Sequence, residues 1–191
     1  GLLTDHVPLK NVSTLITEKL IMEKARLMNE SLIKDFRLQR PKIAVLGINP
    51  HCGDKGVIGT EDDDIIRPAL KKLYFDENIL VFGPFAADSF FGSQSYRNYD
   101  AVLAPYHDQG LIAFKTIAFG NGVNYTAGLS KVRTSPDHGT AYEIAGKDIA
   151  DPQSFRQAIY TALDVFRNRE EYAELTKNPL KIRTLELEKD K

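Results

Sequence analysis

The stretch YDAVLAPYHDQGLIAFK (residues 99–115) joins an apolar run to a histidine–aspartate pair. The run YDAVLAP predicts a buried strand, and DQGLIAFK predicts a short helix or turn behind it. In parallel α/β sheets, ligands bind beyond the carboxyl ends of the strands. His107, which directly follows the predicted strand, is therefore expected at the functional edge of a sheet.

The same alternation of strands and helices continues along the chain. The sequence predicts helices over residues 12–36, 62–74 and from about 151 onward, where Asp151 and Pro152 mark the start. It predicts strands over 42–48, 79–83, 99–105 and 122–129, loops over 49–61, 83–92 and 131–147 (with a helix start inside the last), and a charged, partly frayed end over 180–191. This order predicts an α/β fold with a layered, mostly parallel sheet.

Composition excludes several classes of protein. With 191 residues, 42% apolar and 27% charged, the chain is long enough for one sizeable domain or two small ones sharing a core. A net charge of −1 gives no reason to expect nucleic acid or an anionic membrane as partner. The single cysteine, Cys52, excludes an internal disulfide framework. Without a membrane-length apolar run or a signal peptide, a cytoplasmic location is expected. The chain begins at Gly1 and reads like the inside of a domain, so a fragment and a tag scar are both open interpretations.

Three histidines lie at corresponding places in the pattern. His51 follows strand 42–48, His107 follows strand 99–105, and His6 precedes the first helix. Three imidazoles from separate loops suit a divalent transition metal with open coordination positions. The chain has no HExxH or CxxC spacing, and each histidine taken alone is as compatible with a structural or surface role.

Carboxylates and cations are expected at the same edge. Asp88 and Asp108 follow strands and could orient a metal-bound histidine or bind the metal, although Asp88 could equally cap a helix. Lys115, Lys131 and Arg133 suit a phosphate or carboxylate ligand, the alternative being a solvated face.

Nucleotide motifs are incomplete. GNGVNY (120–125) lacks the third glycine of a GxGxxG fingerprint, and neither GxxxxGK[ST] nor GxSxG occurs. HGTAYEIAGK (138–147) combines a glycine-bearing turn with a helix start, where backbone amides could face a nucleotide.

Five segments in order, NPHCGD…GTE, GPFAAD, YHDQGL, FGNGVN and RTSPDHGTA, resemble the PdxA family of 4-hydroxythreonine-4-phosphate dehydrogenases. HGTAYEIAGK is also similar to the cofactor-loop motif HGSAPDIAGK of isocitrate and isopropylmalate dehydrogenases, whose fold the family shares. The resemblance spans His6 to Lys147. It implies an isocitrate/isopropylmalate dehydrogenase-like fold whose N-terminal part is missing here, because family chains are considerably longer.

The resemblance also implies a domain arrangement. Residues 1–191 would be the C-terminal portion of a two-domain enzyme. Residues 1–113 would form the central, dimer-forming metal and substrate subdomain, and 114–191 the returning part of the cofactor domain. Family members are homodimers with the site between subunits, so the histidines need not all come from one chain.

Residue roles follow from the same resemblance. It implies metal ligands His6, His51 and His107 (zinc, alternatively magnesium or cobalt), substrate contacts Lys115, Asn124 and Arg133, cofactor contacts His138 and Gly139, and a general base among Asp88, Asp108 and Lys115. The implied reaction is NAD(P)-dependent oxidation of 4-phosphooxy-L-threonine to a β-keto acid, which decarboxylates to 3-amino-2-oxopropyl phosphate in pyridoxal 5'-phosphate biosynthesis. The choice between NAD and NADP stays open, and the chain alone is expected to be inactive or nearly so.

Three alternatives stay open beside this function. A related dehydrogenase could act on threonate or erythronate 4-phosphate with the same residues. A phosphate acyltransferase-like protein shares the broad architecture, but needs neither nicotinamide nor three metal-binding histidines. A non-catalytic assembly domain would be distinguished by its failure to bind NAD(P) saturably.

Overall fold

The computed structural model describes residues 1–118 and 120–180, and it confirms the predicted α/β class with a parallel sheet. The sheet has the order β2-β1-β3, with both pairings parallel. Its strands are β1 (Ile43–Leu46), β2 (Val81–Phe85) and β3 (Ala101–Leu103). A separate antiparallel pair is formed by β4 (Val123–Tyr125) and β5 (Thr134–Pro136).

Helices cover the sheet, and the last one that the structure describes ends at Thr176. They are α1 (Val12–Leu15), α2 (Glu18–Lys34), α3 (Arg67–Phe75), α4 (Ala87–Gly92), α5 (His107–Ile117) and α6 (Gln153–Thr176), with a π-helical turn over Asp62–Ile66 and short 3-10 turns over Leu9–Asn11, Pro50–Gly53, Ser95–Asn98 and Tyr142–Ile144. Among the helices that the structure describes, none combines the length and the apolarity needed to cross a membrane.

The central strand β1 is buried on both faces, as expected for a parallel sheet covered by helices. Because side chains alternate along a strand, Ile43 and Val45 join one apolar cluster and Ala44 and Leu46 another. The first cluster also contains buried residues of α2 and α3, and the second contains Phe90 of α4. Helices therefore pack on both faces, and the carboxyl ends of three strands share one edge.

The single helix predicted over residues 12–36 is wrong in one respect, because the structure divides it. Thr17 has an extended backbone and caps α2, its hydroxyl accepting a hydrogen bond from the Leu20 amide at 3.2 Å. Ile16, at the break, is buried. The extended backbone of Ile16 ends α1, and Thr17 caps the start of α2, although the apolar spacing continues through the break.

Two loop predictions also need correction. The segment 83–92, predicted as a loop, contains α4, whose Phe90 packs into the core. The segment 131–147, also predicted as a loop, contains β5. The helix start predicted inside it is only the three-residue turn Tyr142–Ile144, which Ala141 precedes in a left-handed conformation. The strand predicted over 122–129 is limited to β4.

The final helix begins where the sequence predicts. The Asp151 carboxylate accepts a hydrogen bond from the Gln153 amide at 2.9 Å, which stabilises the start of α6. The charged end predicted to fray lies, from residue 181 onward, outside the described residues.

A group of four buried or half-buried side chains, here called the polar clamp, joins α2, β4 and α6. It consists of Ser31, Asp35, Tyr125 and Arg169. Arg169 donates to both oxygens of Asp35, at 2.6 and 3.2 Å, and Ser31 donates at 2.7 Å. The Tyr125 hydroxyl also donates to Asp35. Burial by itself raises the pKa of Asp35, but hydrogen bonds from Arg169, Tyr125 and Ser31 outweigh it and lower the pKa.

Candidate metal and substrate site

His6 and His107 meet at the carboxyl edge of the sheet. His107 is the first residue of α5, directly after β3, and its ring centroid lies 5.5 Å from that of His6. Asp5 completes a group in which one ligand atom from each residue lies within 4.8 Å of the others. Imidazole nitrogens and a carboxylate oxygen suit zinc and similar divalent metals, so the donor set fits the metal that the resemblance implies.

Each of these histidines has a carboxylate beside its Nδ1 atom. The Nδ1 of His107 lies 2.8 Å from Asp108, and the Nδ1 of His6 lies 3.1 Å from Asp5. A carboxylate only accepts hydrogen bonds, so this contact favours the tautomer with the proton on Nδ1. Nε2 then keeps the lone pair that a metal needs, and the carboxylates fix the rings.

His51 is exposed and is not part of this group within the chain. It stands in a tight turn after β1, where every residue from His51 to Gly56 has a positive φ angle. Left-handed backbone costs roughly 1–2 kcal/mol for each residue other than glycine. Such strain persists only where the surrounding structure imposes it, and it concentrates at functional sites.

The surrounding structure here is centred on Asp62. This carboxylate is fully buried and accepts hydrogen bonds from the amides of Ile48 (2.9 Å) and Asn49 (3.0 Å). It also accepts one from the Asn49 side chain at 3.0 Å. Glycine is required at position 53, because a Cβ there would lie 2.3 Å from the Gly59 carbonyl oxygen and φ is +83°. Hydrogen bonds to Asp62 thus fix the residues that lead into the turn that carries His51.

Asp88 and Asp108 line one cleft of about 540 Å³ between α4 and α5. Asp88 lies in the first turn of α4 and is exposed. The alternative that it caps this helix is wrong, since the cap position is Ala86. The structure therefore brings two of the three candidate general bases to the same cleft.

The candidate phosphate-binding residues lie on α5 and on the β4–β5 hairpin. Lys115 is in the last turn of α5, with Nζ 3.9 Å from Asp137. Asn124 is exposed on β4, and Arg133, just before β5, donates to the Thr126 hydroxyl at 2.8 Å. Arg133 therefore lies beside the end of the strand that carries Asn124.

The predicted cofactor-contacting residue His138 and the cation Lys131 lie on the surface. His138 is exposed, and its Nδ1 contacts only the neighbouring Gly139 carbonyl, at 2.8 Å, among the hydrogen bonds of the described chain. Lys131 is also exposed.

Two residues of the site were missed from sequence. Asp5 forms a DH pair with His6 that mirrors the HD pair of His107, a signal that could have revealed it. Asp62 reads as an ordinary acidic residue at a helix start, and only its burial shows its role.

A parallel α/β layer with a histidine–aspartate group beside a cleft at its carboxyl edge defines an α/β protein with a candidate divalent-metal site. The model of the family described as "Pyridoxal phosphate biosynthetic protein PdxA" matches residues 1–162, and the chain belongs to this family.

Relatives agree with this assignment. A 4-hydroxythreonine-4-phosphate dehydrogenase from Bacteroides thetaiotaomicron is 52% identical over 95% of this chain and 50% of its own length. The structure of the enzyme of that name from Klebsiella pneumoniae matches with a TM-score of 0.74 at 35% identity, over 86% of this chain and 50% of that one. A terephthalate 1,2-cis-dihydrodiol dehydrogenase from Burkholderia xenovorans matches with a TM-score of 0.67 at 29% identity, over 85% and 51%. The chain spans about half the length of the curated relatives it matches.

Proposed function

We propose that this chain supplies the metal- and phosphate-binding part of a 4-hydroxythreonine-4-phosphate dehydrogenase. The observation that carries the proposal is the group Asp5, His6 and His107, whose imidazoles are oriented by carboxylates at the carboxyl edge of the sheet. The names of relatives at about 50% identity support the substrate. The protein is proposed to be cytoplasmic and to take part in pyridoxal 5'-phosphate biosynthesis.

The proposed metal ligands are His6, His51 and His107, with Asp5 as a further donor. Because His51 lies outside the group within one chain, we propose a homodimer in which ligands come from both subunits. Zinc is the first choice, with magnesium or cobalt as alternatives. A bound divalent metal supplies Lewis-acid polarisation of the substrate hydroxyl, and bound NAD(P) accepts the hydride.

The residues of this chain would then bind and orient the substrate. Lys115 and Arg133 offer positive charge to its phosphate, and Asn124 adds an amide. Asp88, Asp108 and Lys115 are the candidate bases for the hydroxyl proton. Because Asp108 contacts His107, we propose that it also orients the His107 ring. His138 and Gly139 are proposed to contact NAD(P).

The first experiment measures bound metal by elemental analysis. Wild type and His138→Ala are expected to keep the metal, while His6→Ala, His51→Ala and His107→Ala are expected to lose it. Loss of metal from His138→Ala alone would contradict the proposed roles, as would full retention in all three other variants.

The second experiment measures reduction of NAD or NADP with 4-phosphooxy-L-threonine. The 191-residue chain is proposed to have little or no activity, because it spans half the length of its relatives. In a chain of the relatives' length, replacing the true base is expected to lower kcat about 10²–10⁴-fold. Rapid turnover by the 191-residue chain would refute the proposed inactivity.

A second substrate class has support from the structural comparison. The Burkholderia relative is named for a dihydrodiol, so this fold serves hydroxyl oxidation on different substrates. Threonate and erythronate 4-phosphates, whose phosphate and hydroxyl groups the same residues could bind, are the alternative substrates that we propose. Comparing kcat/KM for these with that for 4-phosphooxy-L-threonine decides between them.

A further inference from the structure

We propose that Asp62 is a positioning residue that holds the left-handed turn 51–56, and thereby His51, in the geometry needed for metal binding. The proposal rests on the proposed metal-binding function of His51. Asp62 itself does not face the histidine group; it acts through the backbone of the turn.

The Asp62 carboxylate lies in an unusual environment. It is 0% exposed, and it accepts hydrogen bonds from N–H groups of the residues that lead into the turn. Within residues 1–118 and 120–180, no basic side chain lies within ion-pair distance of it. A buried carboxylate without a counter-ion is expensive, so the N–H groups that it binds must be held firmly.

The turn itself has an unusual backbone geometry. The φ angles of His51, Cys52, Asp54 and Lys55 lie between +43° and +54°, in the region that L residues rarely adopt. Without a constraint at its root, this segment would relax to ordinary backbone angles and move the His51 side chain. Asp62 supplies the constraint by fixing the two residues, Ile48 and Asn49, that lead into the turn.

Helix α5 also contacts the segment that leads into the turn. Gln109, two residues after His107, donates from its side chain to the Gly47 carbonyl at 2.8 Å. A Cβ at Gly47 would lie 2.8 Å from Asp62. Asp62 therefore closely approaches the same residue whose carbonyl accepts the hydrogen bond from Gln109. The residues that lead into the His51 turn are thus fixed within the subunit, which sets the position from which His51 would reach a metal shared with the other subunit.

The test measures zinc affinity by calorimetry for the 191-residue chain and its variants. Asp62→Asn keeps the shape of the side chain but sets an amide N–H₂ against N–H donors, and we expect it to weaken zinc binding at least tenfold. Asp35→Asn is the matched control, because it also alters a buried carboxylate that accepts hydrogen bonds. It is expected to lower stability while changing zinc affinity by less than about threefold.

A double variant separates positioning from general damage. If Asp62 acts through His51, then whatever weak zinc affinity remains in His51→Ala, measured at raised zinc concentration, should be the same with and without Asp62→Asn; a further loss would show that Asp62 acts elsewhere. Amide hydrogen exchange gives a readout without metal: exchange at Ile48 and Asn49 should be at least tenfold faster in Asp62→Asn and unchanged in Asp35→Asn.

The possible failures are distinct. If wild type binds zinc and His51→Ala weakens it, but Asp62→Asn does not, the positioning role is overturned and the metal site stands. Unchanged exchange at Ile48 and Asn49 in Asp62→Asn would also overturn it. If wild type does not bind zinc, or if His51→Ala has no effect, the proposed metal function fails and the role of Asp62 toward it fails as well.

Discussion

Residues 1–106 and 107–180 bury their apolar side chains to very different extents. The first region contains the parallel sheet, with Ile21, Ile43 and Leu73 fully buried. In the described part of the second region, the buried apolar side chains are Ala158 and Val165, while other apolar residues of α6 stay exposed. The first region therefore has its own hydrophobic core, whereas the second has few buried apolar side chains and is joined to the first by the polar clamp together with other polar contacts.

The largest expected effect comes from breaking the clamp. Arg169→Met leaves Asp35 buried without its cation, so we expect a loss of about 3–5 kcal/mol in the free energy of unfolding. Urea denaturation measures it. Arg167→Met, on the exposed side of α6, should change stability by less than about 0.5 kcal/mol. Equal effects of the two variants would contradict the importance of the clamp.

The next prediction compares the same truncation in both regions. Leu73→Ala removes a fully buried side chain from α3 and should destabilise by about 2–5 kcal/mol. Leu163→Ala removes one that is 46% exposed on α6, and the expected loss is about 0.5 kcal/mol. Thermal or urea unfolding of the two variants measures both losses in the free energy of unfolding. A large loss from Leu163→Ala would show that the face of α6 is covered in solution.

The clamp also predicts a pH dependence. The pKa of Asp35 is lower in the folded chain than its ordinary value of about 3.9, so its stabilising contribution is present above that value and is lost as pH falls through the folded pKa. The difference in unfolding free energy between wild type and Asp35→Asn should stay constant from pH 7 to about 5 and shrink below about 4. A difference that grows on acidification would contradict this sign.

The smallest effect is expected from an exposed ion pair of the first region. Arg26 donates two hydrogen bonds to Glu77, at 2.7 and 2.6 Å, and the hydrogen bond from Arg26 lowers the pKa of Glu77. Both side chains are partly exposed, so water screens the pair. Glu77→Gln should shift the unfolding midpoint only slightly, and less in about 1 M salt than in about 0.1 M. A shift comparable to that of Arg169→Met would contradict the contrast between exposed and buried pairs.

Much of the fold could be predicted from local sequence. The order of strands and helices, the start of α6 at Asp151 and the position of His107 directly after β3 follow from apolar spacing and capping residues. The break at Thr17 could not be read from apolar spacing, because the apolar positions continue across it. The predicted division at residue 113 stays a prediction.

Local sequence was enough to establish the α/β class, the family and the types of side chain at the carboxyl edge of the sheet. These depend on patterns between residues that are close in the chain, or on motifs that keep their order. Packing of distant elements was needed to show that Asp5 joins His6 and His107, that His51 stands apart on a left-handed turn, and that Asp62 and Asp35 are buried. The physical reason is that burial and long-range contact depend on which elements pack together, and a carboxylate on the surface and one in the core look alike in a sequence.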